Sequence, residues 1–416
     1  MSAATWVAAL FGAALICTAL LDVFITVLHT QVESPISNGL ARGFWRLLTW
    51  ATRGLTDEAR GAVLAWGAPI MIVGIIVFWA SLLVVGFGVL YLPVIHDGSS
   101  FAIADGRGTS PVADALYQSA ISFLTIGYGD IVAIDAVPRT LEVLEGGLGL
   151  LIISMAVTYL LSVYPLIPRK LALAVALNQE TAGRADAVAI AARYVAPGRF
   201  DTMGERLRML NDEMLYLAQA HGFFPVLYYV RPRNVHESFA RMLVIMQGLV
   251  ATLRYGLDSE QYSDITEDPR LLNLEEGFLY CLQVLAASSH LAPGPHEHDI
   301  DTIMVEYTSM LAELSALGIR VPSPTSAAAA AEGYVEFRRA TDRYVAAYAE
   351  NLAYSDSALR RTYDLFTRAP NLALALARPP VNVSRGNAQS GVIMRPRADA
   401  KRSTPSRPES HSRRRE

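Results

Sequence analysis

Lysine and cysteine are almost missing from this chain of 416 residues. Lys170 and Lys401 are the only lysines, so nearly all positive charge is arginine, a bias typical of GC-rich coding sequences. The two cysteines, Cys17 in an apolar run and Cys281 far downstream, are too few for a disulfide framework or a Cys-based zinc site. Both read as buried packing residues. A basic face for nucleic acid is also lacking: of the net charge of -4, residues 379–416 contribute +6, which leaves -10 on residues 1–378. Arginine at every third position occurs in none of the apolar stretches, which excludes a voltage-sensor helix. There is no Gly-x-Gly-x-x-Gly after a strand pattern and no P-loop or hydrolase motif, so neither a dinucleotide-binding regulatory domain nor an enzyme is expected.

What is present is apolar. Hydrophobic residues make up 52% of the chain and the mean hydropathy is +0.29, too high for an ordinary soluble protein. Three stretches, roughly 4–29, 68–94 and 141–167, are long enough to cross a bilayer. The first has no Lys or Arg before it and exceeds the length of a signal-peptide core, so it reads as a retained helix. Within it Asp22, Thr26 and His29 share a helical face, and an acid in lipid is either functional or paired with another helix. Arg42, Arg46, Arg53 and Arg60 crowd the 30–67 loop, and Arg169 and Lys170 follow the third span. The 95–140 segment holds only Arg107 and Arg139. The distribution puts the N-terminus outside and the 30–67 loop and everything after 168 in the cytoplasm of a plasma-membrane protein. Residues 40–48 alternate Arg with apolar residues at helical spacing, as either an interfacial helix or a plain connector does.

Between the second and third spans lies an apolar stretch too short to cross. Ser110-Pro111 gives it an N-cap and a first-turn proline, and Asp114 sits in its first turn, where the helix dipole favours a carboxylate. Thr125-Ile126-Gly127-Tyr128-Gly129-Asp130 comes directly after it. This hexapeptide, flanked by a short helix and two spans, resembles the selectivity filter of the potassium-channel pore family. The resemblance covers about 68–167. It implies a homotetramer in which carbonyl oxygens of Thr125, Ile126, Gly127 and Tyr128, with the Thr125 hydroxyl, replace the water around a K+ ion. Gly127 and Gly129 would supply positive φ, the Tyr128 ring would brace the strand near Tyr117 and Gln118, and Asp130 would close the outer end. Two departures are visible: Leu124 where a Thr or Ser commonly precedes the filter, and Ile121 where some members carry a Glu.

In the third span Gly146, Gly147 and Gly149 serve close packing or bending, with Gly149 at the family's bend position. Ile153, Val157 and Leu161 recur every four residues as pore-lining candidates, beside the stripe Ser154, Thr158 and Ser162. Pro165 and Pro168 are expected to end the helix and stiffen its link to the cytoplasmic region.

Beyond 168 the periodicity is helical with ordinary surface charge. Helix starts are expected at Asn234, with Glu237 three residues on, and at Asp268-Pro269, and a helix stop at Gly318. His290, His296, Glu297, His298, Asp299 and Asp301 cluster in a Pro/Gly-rich loop, read as solvated, with metal binding or pH sensing as the alternative. The expected architecture is an all-α membrane protein: an N-terminal transmembrane helix (1–30), a cytoplasmic or interfacial linker (31–67), a pore domain (68–167), a helical cytoplasmic domain (168–378) and a disordered basic tail (379–416). No cofactor is expected beyond K+ as the permeant ion. The partners expected are K+, membrane lipid, three further copies of the chain and an unidentified cytoplasmic regulator. The competing reading is a membrane-anchored signalling or scaffold protein with a vestigial pore.

Overall fold

The computed structural model describes residues 3–28, 34–104, 108–289 and 299–363. His29, Arg107, the loop residues His290, His296, Glu297 and His298, and the basic tail therefore lie outside the described residues.

Helix α1 (Ala3–Val27) is apolar on all sides and leads to α2 (Pro35–Ala51) and α3 (Asp57–Leu64). Next come α4 (Gly67–Tyr91), the strand β1 (Phe101–Ile103), α5 (Pro111–Phe123), β2 (Ile131–Ala133) and α6 (Ala136–Val163). Three helical stretches, Thr5–Val27, Asp57–Tyr91 and Ala136–Glu180, are long and apolar enough to cross a bilayer. Gly12 and Gly86 let α1 and α4 cross closely: a Cβ on Gly12 would lie 2.6 Å from the Gly86 carbonyl oxygen. Cys17 departs from its expected burial, because it sits on the exposed side of α1, where lipid suits a thiol as well as a core does.

Asp22 resolves into the paired alternative. It is buried and accepts hydrogen bonds from the Ser34 hydroxyl, the Ser37 hydroxyl (2.5 Å), the Ser37 amide (3.3 Å) and the Trp79 indole (2.6 Å). One carboxylate thus joins α1 to the start of α2 and the middle of α4, with donors enough to offset its burial. On α2, Ser37, Ala41 and Trp45 are buried. At 100° per residue Leu40, Leu47 and Trp50 form a separate exposed apolar face, and Arg42 and Arg46 a third. The helix thus presents three faces of different character.

The remaining helices are α7 (Leu166–Glu180), α8 (Ala187–Val195), α9 (Phe200–Phe223), α10 (Phe239–Tyr255), α11 (Ser263–Thr266), α12 (Pro269–Ser289), α13 (Ile300–Ala316), α14 (Ala327–Asn351) and α15 (Asp356–Arg360). At Pro165 the ladder breaks for two residues, whereas Pro168 lies inside the first turn of α7, where no amide donor is required. The start expected at Asn234 is only a single 3-10 turn, Val235–Glu237, in which the Asn234 side chain bonds Glu237 (2.7 Å). Ser238 caps the real helix, α10, through the Arg241 amide. Pro269 opens α12 as expected. Gly318 (φ 77°) ends α13, with the Ile319 amide returning to the Leu314 carbonyl.

Almost every residue of α10 is buried, so it forms the axis of this helical domain. Arg241 is held inside by the Asn178 side chain (2.7 Å) and the carbonyls of Gly183 (2.6 Å), Leu359 (2.6 Å) and Arg361 (2.8 Å). Among the described residues the domain meets the membrane helices at several places, including Tyr159 of α6 edge-on to Phe224. Lys170, seven residues past the end of α6, is buried and donates to the Leu227 carbonyl (2.7 Å) and Tyr348 hydroxyl (3.3 Å). Trp45 of α2 lies against Tyr229, donates to the Asn351 carbonyl (2.8 Å) and packs on Gly67.

His221 carries a pH dependence. It is fully buried, with Nδ1 2.6 Å from the Leu217 carbonyl and no hydrogen-bond partner for Nε2 among the described residues. Burial, helped by the nearby Lys170 charge, holds its pKa well below the usual 6.5, so the folded ring is neutral. Unfolding lets the ring take up a proton below pH 6.5. Its contribution to stability is therefore intact above that pH and falls away below it. Thermal unfolding of the detergent-solubilised protein should show a loss toward acid that is shallower in His221→Phe. Identical slopes in both would contradict this.

Candidate ion-conduction site

Helix α5 is short because its two ends are fixed. Ser110 accepts the Ala113 amide (3.2 Å) at the start, and Leu124 caps the end. Asp114 is buried and accepts from the Thr109 amide (3.0 Å) and hydroxyl (2.8 Å), with His96 Nε2 at 2.7 Å. The chain then turns back, the Thr125 amide bonding the Ser122 carbonyl (3.0 Å) and the Ile126 amide the Ile121 carbonyl (2.8 Å).

Along the next strand φ is positive at Thr125 (56°), Gly127 (58°) and Gly129 (78°). The alternation includes the two glycines that the motif required and a third residue that it did not. For Thr125 the left-handed conformation costs about 1–2 kcal/mol, because its Cβ crowds the backbone. Asp130 ends the strand and accepts the Tyr117 hydroxyl of α5 (3.0 and 3.2 Å). The chain is next drawn into an antiparallel two-stranded sheet in which Phe101 pairs with Ala133 and Ile103 with Ile131. This sheet, unforeseen in the sequence, ties the exit of the strand to the loop after α4. Ile126 and Tyr128 remain 47% and 69% exposed in a single chain.

Helix α6 lies directly on the end of α5. A Cβ on Gly149 would run into the Phe123 carbonyl oxygen, and one on Gly146 would lie 3.4 Å from that of Ser122, while Gly147 faces open space. Ile153, Val157 and Leu161 are exposed. So are Ser154, Thr158 and Ser162, whose hydroxyls bond back to the carbonyls of Leu150 (2.8 Å), Ser154 (3.0 Å) and Thr158 (2.9 Å). The opposite side, with Ile152, Ala156, Tyr159 and Val163, is buried against the rest of the chain.

Two carboxylates behind α5 escaped the reading of the sequence. Glu142 accepts the Gln118 amide (2.5 Å), and buried Glu145 contacts the Ser119 and Tyr91 hydroxyls. The signal was available: the rule that flags an acid in a span, applied to Asp22, applies equally to both. The loop acids Asp299 and Asp301 lie at the start of α13, and among the described residues no three His, Cys, Asp or Glu side chains come together as metal ligands.

Three apolar spans, a re-entrant helix and an irregular strand at membrane depth define a membrane protein with a pore segment. Residues 70–164 match the family of ion channels, in the same stretch in which the filter motif resembles the potassium-channel pore. The chain is also similar to YdjJ, an uncharacterized membrane protein of Bacillus subtilis (strain 168). The two are 23% identical over 266 residues, 64% of this chain and 73% of the relative. No solved structure gives a significant match.

A Cβ at a positive-φ site strains the backbone by about 1–2 kcal/mol per residue, and Thr125 already bears that strain in the same strand. Gly127→Ala or Gly129→Ala should abolish selective flux and leave membrane insertion unchanged. Ion flux and size-exclusion profiles of the same preparations check this, and ordinary flux from either variant would remove these residues from the conduction path.

Proposed function

We propose that the chain is one subunit of a homotetrameric, potassium-selective channel that passes K+ passively across the plasma membrane. The carrying observation is the alternation of positive φ at Thr125, Gly127 and Gly129 within the filter-like hexapeptide. Alternating handedness turns successive carbonyls toward one side, the arrangement needed to replace the water around a K+ ion. One chain supplies one such strand, and a ring of carbonyls needs four around a cyclic axis. The exposure of Ile126 and Tyr128 fits the same assembly, since neighbouring subunits would cover them. Arginine in α2 and after α6 supports a cytoplasmic helical domain and an external N-terminus.

The test is reversal potential in reconstituted membranes under mixed potassium and sodium gradients. It should follow potassium, and a reversal that tracks sodium as closely would overturn the assignment.

The gate is set by the inner helix. In this reading Ile153, Val157 and Leu161 face the axis, form a dewetted constriction when closed, and part as α6 bends at Gly149. The helical domain transmits the unidentified cytoplasmic signal through α7 and through Trp45. Asn at a narrow point of that ring should wet the closed pore and raise basal leak, with smaller effects at Ser154, Thr158 or Ser162. Basal conductance of the six single variants decides it. Leak confined to the Ser/Thr stripe would reverse the assignment of faces.

A further inference from the structure

Glu145 is completely buried in the first half of α6, beside the last turns of α4, where an acid is costly unless every one of its contacts is matched. Its partners come from two neighbouring helices. Tyr91 of α4 places its hydroxyl 2.8 Å from Oε2, and Ser119 of α5 places Oγ against Oε1. The same Ser119 Oγ lies 2.8 Å from the Val84 carbonyl oxygen of α4. Glu142, one turn earlier on α6, faces the Gln118 amide, so the titratable groups nearest Glu145 are Tyr91 and Glu142. Among the described residues no basic side chain is a hydrogen-bond partner of Glu145.

Counting hydrogens decides the state of this cluster. The Val84 carbonyl can only accept, and Ser119 has a single hydroxyl hydrogen for its two contacts, with Val84 and with Glu145 Oε1. The Tyr91 hydrogen goes to Oε2. If Glu145 were ionised, one of the two Ser119 contacts would hold two oxygens and no hydrogen. A proton on Oε1 supplies the missing donor: Glu145 donates to Ser119, Ser119 donates to Val84, and Tyr91 donates to Glu145. All three contacts are then satisfied, without a charge in the membrane interior.

We infer that Glu145 is held as a neutral carboxylic acid and acts as a positioning residue, its proton closing a clamp that fixes α5, and with it the strand 125–130, between α4 and α6. Its effect on selectivity rests on the channel reading above, but the protonation state does not.

Two arms test this on the full-length protein in lipid. Infrared spectroscopy in light and heavy water should show a deuterium-sensitive carboxylic-acid carbonyl band that is lost in Glu145→Gln and kept in Glu142→Gln. No such band, or one that survives in Glu145→Gln, would overturn the inference whether or not the protein conducts. In the flux arm, Gln at 145 offers an N–H to Ser119 and a carbonyl to Tyr91, so Glu145→Gln should keep the wild-type preference for potassium. Glu145→Ala and Ser119→Ala should lose it. Loss of preference in Glu145→Gln as complete as in Glu145→Ala would show that the ionised form is the working one and reject the clamp. Should the Ala variants fail to fold, the infrared arm and Glu145→Gln still decide. A wild type that passes no potassium would reject the channel reading alone.

Discussion

Irregular backbone cannot sit in hydrocarbon with its amides and carbonyls unpaired, and most of the pore segment is arranged around that requirement. The strand 125–130 gains two amide bonds from the turn back onto α5. It is then fixed from outside by side chains of α5: Tyr117 holds Asp130, while Gln118 and Ser119 reach Glu142 and Glu145 on α6. Three consecutive residues of one short helix thus join the strand's exit, the inner helix and, through Ser119 and Val84, the outer helix. The sheet between 101–103 and 131–133 takes up the backbone groups just beyond the strand. Positive φ at a threonine is tolerable only in such a frame, because a cost of about 1–2 kcal/mol needs surroundings that overdetermine the conformation.

Among the contacts that join the helical domain to this frame, two routes reach the inner and the outer helix. One is covalent, from α6 through the break at Pro165 into α7, where Lys170 is sunk into the domain's core. The other is by packing, from the end of α14 to Trp45 on α2, then from Trp45 to Gly67 at the start of α4. Asp22 binds the first residues of α2 to α4 through Trp79, so α2 does not move independently of the outer helix. A shift of the domain therefore acts on the inner and the outer helix together.

Much of this was legible because the relevant signals are local. Span length and hydropathy give three membrane helices, Ser110-Pro111 marks the start of α5, and Gly318 marks the end of α13, each from a few adjacent residues. The glycine spacing at 127 and 129 announces positive φ for the same reason. What was not legible depends on partners far apart in sequence. The sheet at the strand's exit pairs Phe101 with Ala133 and Ile103 with Ile131, across the whole of α5. The burial of Glu145 comes from Tyr91 and Ser119, 54 and 26 residues away. Asn234 and Glu237 resemble a helix start, yet Ser238 is the residue whose hydroxyl reaches the Arg241 amide, and local pattern cannot separate such neighbours. Cys17 shows a different limit: burial preferences drawn from water-soluble proteins do not carry over to a helix whose outer surface is lipid.

Gly149 brings α6 against the base of the strand. Because its missing side chain leaves room only for the Phe123 carbonyl, α6 touches the last residue of α5, two positions before Thr125. Because Glu142 and Glu145 hold α5 to the part of α6 before Gly147, a bend at Gly147 would displace Gly149 from that contact. A bend at Gly149 either opens the contact, exposing a carbonyl at membrane depth, or presses on it and moves the base of the strand. Glu142 and Glu145 precede this point on α6 and hold α5 to that part of the helix. Bending below them moves the lower helix against a fixed pore helix, so Phe123 bears the relative motion. Inner-helix movement and strand geometry are on this account linked at one backbone contact, whose closeness depends on glycine at position 149.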